Sequence, residues 1–321
     1  MDKPLVSIVI PIIPGRTDRI NAMLSRLTIS LSRSPEIKTE VIVVDGGSTD
    51  HLQQMCEKYA EYIDLKYIYL PIGGFINAAY PRNVGFRVAT GEVICMLDAD
   101  YWPSENLIEG IWEPYKNGDR NVINNGYVID SSKGKADKEG FAGAMLDMQN
   151  FDKEILGMFE YAGIPAPSEG DNHIWLWAAP RKNIIEMGGY DEKFVCGYSR
   201  EDDSFFYRLM KSGLKRYKKS RDNFCCIHIW HPASQRNDAM NALNREYYQK
   251  MGGANPTPVT RNDGDQWGKL IKNSFSTIGG KTRDVEGHEE WVARNTDNPA
   301  YFFSEPWETV DELKSARGYS K

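Results

Sequence analysis

Apolar positions fall into two alternating rhythms over the first hundred residues. Leu5–Ile10 is a continuous, largely β-branched run stopped by Pro11, the mark of a strand buried on both faces that opens into a loop. From about residue 18 to 32, Ile20, Met23, Leu24, Leu27 and Leu31 recur at spacings of three and four and so line one face of a helix. Glu40–Val44 is a second buried strand, and Leu52, Met55, Cys56 and Tyr59 mark a helix capped from the Gly/Ser/Thr/Asp turn before it. A third strand over 66–70, a loop at Gly73-Gly74, a helix over about 81–89 and a fourth strand, Val93–Leu97, follow. Strand and helix in alternation predict an α/β fold: a mostly parallel central sheet with helices on both faces.

Beyond residue 120 the rhythm loosens. Residues 131–140 are polar and rich in Gly and Lys, and the stretch to about 171 has no readable period. Order resumes with a Trp-bearing strand, Ile174–Ala179, a short helix, Asn183–Met187, and a helix, Asp202–Lys211, with Phe205, Phe206, Leu209 and Met210 on its apolar side. Cys225–Trp230 reads as one more strand. Residues 252–287 turn to Gly, Asn, Thr and Pro, the composition of a lid or linker. The aromatic tail, including Trp291, Tyr301 and Trp307, predicts packing against a surface.

Ligands of open α/β sheets lie outside the carboxyl ends of the strands, which draws attention to Asp45 after the second strand and to Asp98-Ala99-Asp100 after the fourth. Two carboxylates at a strand tip suit a hard divalent cation, Mn2+ or Mg2+, bridging to a diphosphate, although two solvated loop aspartates would look the same. Glu201-Asp202-Asp203 opens a helix. There it complements the helix dipole, and it also sets a carboxylate where it can take a proton from a hydroxyl. His228 and His231 are candidate metal ligands, and strand alternation lets at most one of them join the metal. Trp175 and Trp177 share one face of a predicted strand, as rings covering a sugar or as core.

Composition narrows the classes. The 321 residues carry a net charge of -6, so no broad basic surface for nucleic acid is expected, and a phosphate-bearing ligand needs a metal. Five scattered cysteines without a C-x-x-C pair predict reduced thiols, no zinc and a cytoplasmic location. The apolar start is short and broken by Pro11 and Pro14, and no run approaches the roughly 20 apolar residues of a spanning helix, so the expectation is no transmembrane segment, with any membrane contact peripheral.

VSIVIP, EVIVVDGGSTD, AAYPRNVGFRVATGEVICMLDAD and GGYDEKFVCGYSREDDSFFYRL, in that order over residues 4–235, resemble the successive signatures of inverting glycosyltransferases of the GT-A fold, particularly family 2. The resemblance implies a Rossmann-like nucleotide-diphospho-sugar transferase domain over 1–235. Its nucleotide-sugar-binding half would be 1–120 and its acceptor-binding, catalytic half 121–235, with 236–321 a helical or loop extension able to act as a lid. It implies Pro11 beside the nucleotide, Asp45 on the base, typically uracil, and Arg82 and Asp98 near the diphosphate. It also implies Asp100 as direct metal ligand, helped by Asp98 and by His228 or His231, and Asp202 of the Glu201-Asp202 pair as catalytic base. GGYDE with the acidic pair is also similar to the C-terminal part of galactosyl- and N-acetylgalactosaminyltransferases, which favours a UDP-hexose donor and a hydroxyl acceptor on a glycan or small molecule. The chain departs from the pattern at Gly46, where a second carboxylate is usual, and lacks both Q-x-x-R-W and membrane helices, which speaks against polymer synthesis through a channel. A D-x-D pair leaves a retaining transferase open, and a non-catalytic nucleotide-sugar or glycan binder too. A nucleotidyltransferase would want a basic triphosphate loop, of which Gly15-Arg16 is the only trace.

Overall fold

A computed structural model describes residues 4–14, 16–48, 51–71, 79–130, 176–194, 199–217, 224–228, 238–257, 259, 262, 267–268, 275–278 and 281–284. The elements that position the site are strands β1 (Val6–Ile12), β2 (Thr39–Asp45), β3 (Leu65–Tyr69) and β4 (Val93–Met96), alternating with helices α1 (Thr17–Arg33), α2 (Leu52–Tyr59) and α3 (Ala79–Val88). After β5 (Tyr101–Pro103) and α4 (Leu107–Trp112) come β6 (Val122–Asn125), β7 (Tyr127–Asp130), β8 (Trp177–Pro180), α5 (Arg181–Glu186), α6 (Glu201–Lys211), β9 (Lys215–Tyr217), β10 (Cys225–His228), α7 (Asp238–Lys250), β11 (Phe275–Ile278) and β12 (Lys281–Asp284).

The main sheet has nine strands in the order β12-β11-β3-β2-β1-β4-β8-β6-β9. The four parallel strands expected from the apolar runs are its centre, and every strand except β8 and β11 points the same way. β11 and β12 extend the sheet beyond β3, so part of the C-terminal region continues the main sheet. β5, β10 and β7 form a small second sheet that the sequence pattern does not announce.

Alternation along the strands sends side chains into two cores. Val6, Ile8 and Ile10 meet Ile20, Met23, Leu24 and Leu27 of α1 on one face; Val9, Ile42 and Val44 meet Val84 and Phe86 of α3 and Phe205 and Leu209 of α6 on the other. α3 lies so close to β1 that a Cβ on Gly85 would stand 2.3 Å from Val9 Cγ1, which makes glycine the residue that fits. β1 runs on through Pro11 to Ile12, past the expected stop. Pro11 directs its backbone toward β4, beyond the last register pair, Val9 with Met96, so the missing N–H costs no ladder bond.

Cys56, Cys95, Cys225 and Cys226 are buried thiols. Among the described residues no helix is long and apolar enough to cross a membrane.

Candidate functional site

The site forms where the parallel strands end. β4 stops at Met96, and Leu97-Asp98-Ala99-Asp100 leaves the main sheet to begin β5 of the small one. β10 pairs antiparallel with β5 so that His228 stands opposite Tyr101. This register brings a histidine more than a hundred residues away to the aspartate pair, with Nε2 3.8 Å from Asp100 Oδ2. The Tyr101 ring meets the imidazole edge-on, with centroids 5.9 Å apart.

Arg82 of α3 joins this corner to the start of α6. Its Nη1 donates to Asp202 Oδ1 at 2.7 Å, and its Nη2 lies 3.8 Å from Asp98 Oδ1. The guanidinium sits over the Tyr190 ring, 4.9 Å from its centroid, and the Tyr190 hydroxyl donates to the same Asp202 Oδ1 at 3.0 Å. One carboxylate oxygen is thus held twice. Asp202 Oδ2 takes no hydrogen bond among the described residues, and the side chain is 38% exposed, so that oxygen is open to a ligand hydroxyl. Its neighbour differs: Glu201 is buried, and its Oε2 accepts the Ser199 N–H at 3.0 Å.

Burial pushes the Asp98 carboxyl up to about 6, with Asp100 and Asp202 adding to the rise while Arg82 and the Tyr101 hydroxyl oppose it. Glu201 goes up to about 7 by burial and then by the charge of Asp202, again opposed by Arg82. Burial works against the Arg82 charge, but Asp202, Tyr190 and Asp98 outweigh it and hold the guanidinium firmly protonated.

Tyr190 is itself held by its loop. Gly188 and Gly189 have φ of 77° and 64°, and a Cβ on Gly189 would fall 2.3 Å from Asn83 Oδ1. Asn83 accepts the Tyr190 N–H at 2.7 Å and donates to the Tyr190 carbonyl and to Glu192. Arg208, fully buried on α6, donates to the carbonyls of Met187 and Gly189, and Asn262 donates to those of Gly188 and Tyr190. The Gly268 N–H reaches Glu192, and Trp267 is buried beneath Arg87. The described part of the stretch read as a lid or linker is therefore packed against the domain. Tyr190 and Asn83 are not singled out by the sequence pattern, and Arg16, there only a trace of a basic phosphate loop, pairs through Nη1 with Asp100 Oδ2. The double glycine before Tyr190 was the available signal.

The expected residues divide. Asp98, Asp100, Arg82, Asp202, Glu201 and His228 gather at one corner. Pro11 lies at the strand end that enters the same crevice. Asp45 is the residue that the resemblance places on the base. It is fully buried, its Oδ1 accepting the N–H groups of Gly47 and Ser48 and its Oδ2 the Tyr67 hydroxyl at 2.5 Å, so it shapes the turn after β2. Trp177 takes the core alternative of its two readings: 1% exposed, its ring packs against Phe86 and Phe205. Trp175 and His231 lie outside the described residues.

Among the described residues no group of three or more His, Cys, Asp or Glu side chains is arranged to hold a metal ion. Asp100 and His228, with Nε2 3.8 Å from Oδ2, are oxygen and nitrogen donors of the kinds that Mn2+ takes alongside water.

Validoxylamine A glucosyltransferase of Streptomyces hygroscopicus subsp. limoneus is 24% identical over 229 residues, 66% of this chain and 49% of that protein. Glycosyltransferase GlyG of Streptococcus pneumoniae serotype 4 is 35% identical over 96 residues, 30% of this chain and 32% of its own length. The chain thus spans about half and about a third of these curated relatives. Among solved structures, the mannosyltransferase PcManGT from Pyrobaculum calidifontis, in complex with GDP-Man and Mn2+, matches 79% of this chain and 73% of that one at 17% identity, with a TM-score of 0.48. Residues 7–171 match the family model described as glycosyl transferase family 2. That match spans just over half of the sequence, and the chain belongs to glycosyl transferase family 2.

Proposed function

We propose that this protein transfers a hexose or N-acetylhexosamine from a nucleotide-sugar, UDP-linked, to a hydroxyl of a glycan or small acceptor, with inversion at the anomeric carbon and with Mn2+ or Mg2+ as cofactor. The observation that carries the reading is the arrangement around Arg82, which draws the start of α6 to the tip of β4 with Asp202 Oδ2 left open. Family membership supplies the class of reaction.

Asp202 accepts the proton of the acceptor hydroxyl at Oδ2 while Arg82 and Tyr190 fix the carboxylate through Oδ1. Glu201 is the weaker candidate for that step, because its carboxyl is buried and tied to the Ser199 N–H. Asp100, with Asp98 and His228, would hold the cation, which when bound neutralises charge developing on the departing nucleoside diphosphate. A base opposite the leaving group favours direct displacement and hence inversion. Proton NMR of the sugar freed by hydrolysis of UDP-glucose or UDP-N-acetylglucosamine, or of the glycoside formed on transfer, tests this: the β-configured product appears first from the α-linked donor, and first appearance of the α-configured product would contradict it.

A further inference from the structure

Past β1 the chain turns through Pro14 into Arg16, which stands just ahead of the seventeen residues of α1. A loop arginine ordinarily keeps its charged head in water. This one folds inward, its side chain 11% exposed, and Nη1 pairs with Oδ2 of Asp100, whose own side chain is 9% exposed. That oxygen is also the one facing His228 Nε2 at 3.8 Å. A divalent cation held between Asp100 and His228 needs the same oxygen. A guanidinium and a dication repel strongly when they share one carboxylate oxygen at low exposure.

The charges around the cleft point the same way. Among the described residues Arg16 pairs with Asp100 while Arg82 pairs with Asp202 and lies beside Asp98, so a free dication meets guanidinium groups already on those carboxylates. Metal and diphosphate entering together bring nearly balanced charge. A guanidinium fork also matches phosphate oxygens as well as it matches a carboxylate, and Arg16 stands at the positive end of the α1 dipole, where an anion is favoured.

We propose that Arg16 is a diphosphate-binding residue which, in the ligand-free protein, occupies the metal's place on Asp100, so that its transfer from carboxylate to phosphate couples metal binding to nucleotide binding. This rests on the reading above that the cleft takes a nucleoside diphosphate with a divalent cation. Bare metal is held off until a diphosphate draws Arg16 away, and by reciprocity the metal raises nucleotide affinity by the same factor.

Calorimetric titration of MnCl2, with and without saturating UDP, and then GDP, tests it on wild type, Arg16→Gln and Arg16→Lys, with melting curves in EDTA showing that each variant folds. Wild type is expected to bind Mn2+ at least about tenfold more tightly with the nucleotide than without it. Arg16→Gln should bind Mn2+ alone several-fold more tightly than wild type, bind nucleotide with metal more weakly, and lose most of the difference. Arg16→Lys, which keeps the charge and loses the fork, should leave the affinity for Mn2+ alone near wild type and weaken only the nucleotide complex, and it decides the matter if Arg16→Gln does not fold. Coupled binding in wild type with the same Mn2+ affinity and coupling in the variants overturns the role of Arg16 alone. Wild type that binds neither nucleotide overturns the functional reading together with it.

Discussion

The two ends of the central sheet both bury acidic side chains, and they treat them in opposite ways. At the amino ends of the strands Glu40 is fully buried; its Oε1 accepts from the Ser7 hydroxyl at 2.5 Å, from the N–H and hydroxyl of Thr90 and from the Gly91 N–H, and its Oε2 pairs with Lys66. Burial alone would raise its pKa, but these partners together hold it below the ordinary carboxylate range. At the carboxyl ends burial pushes Asp98 and Glu201 up to about 6 and about 7, with neighbouring carboxylates adding to the rise and Arg82 opposing it. A fully partnered buried acid ties strands together, whereas an under-compensated cluster favours whatever brings it positive charge, the proton included. The difference separates the part of the sheet built for stability from the part built for chemistry.

The strongest test of that separation is a pair of substitutions. Asp202→Asn is expected to lower turnover by about 10²–10⁴-fold while leaving melting temperature and metal-dependent nucleotide binding nearly unchanged; retained turnover would remove Asp202 from the role of base. Glu40→Ala should do the reverse. It strands the Lys66 ammonium and the Thr90 and Gly91 N–H groups, for a cost of roughly 3–5 kcal/mol in denaturant unfolding, with kcat per folded molecule intact.

A smaller effect follows from the raised pKa values. An acid whose pKa is higher folded than unfolded binds its proton more tightly in the folded state, so its stabilising effect is complete below the unfolded value and fades as pH rises toward the folded one. For Glu201 the window runs from about 4.5 to about 7. Glu201→Gln, measured by thermal unfolding without metal, should therefore gain on wild type between pH 5 and pH 8 by at most about 3 kcal/mol. Glu40, with its lowered pKa, contributes stability at neutral pH that is lost on acidification. A gain by Glu201→Gln that was the same at both pH values would show that Glu201 is not strained by its charge.

The same contrast governs what could be read from sequence. The four central strands and α1, α3 and α6 are written in local apolar periodicity, so their order and the parallel sheet follow directly. Asp98, Asp100 and Asp202 were legible because strand ends and helix starts are where side chains reach a ligand. Asp45 fits the same positional rule, yet the turn that folds back on it uses both of its oxygens, and only three-dimensional closure shows that. Trp177 sits on a reversed strand wedged between β4 and β6, so the face it shares is core. His228 reaches Asp100 through a small sheet assembled from β5, β7 and β10, an arrangement of long sequence separation that no local pattern encodes. Arg16 meets Asp100 from 84 residues away and Tyr190 is held by Asn83 from 107 away, contacts that no local pattern encodes.

The most direct test is a thermal-shift panel of UDP-, GDP-, CMP- and dTDP-sugars with Mn2+, with and without EDTA, on wild type and Asp100→Ala. Stabilisation by one nucleotide class that needs the metal and disappears in the variant is the predicted result. Stabilisation by none of them, or the same stabilisation in EDTA and in Asp100→Ala, would contradict a metal-dependent nucleotide-sugar site at the tip of β4.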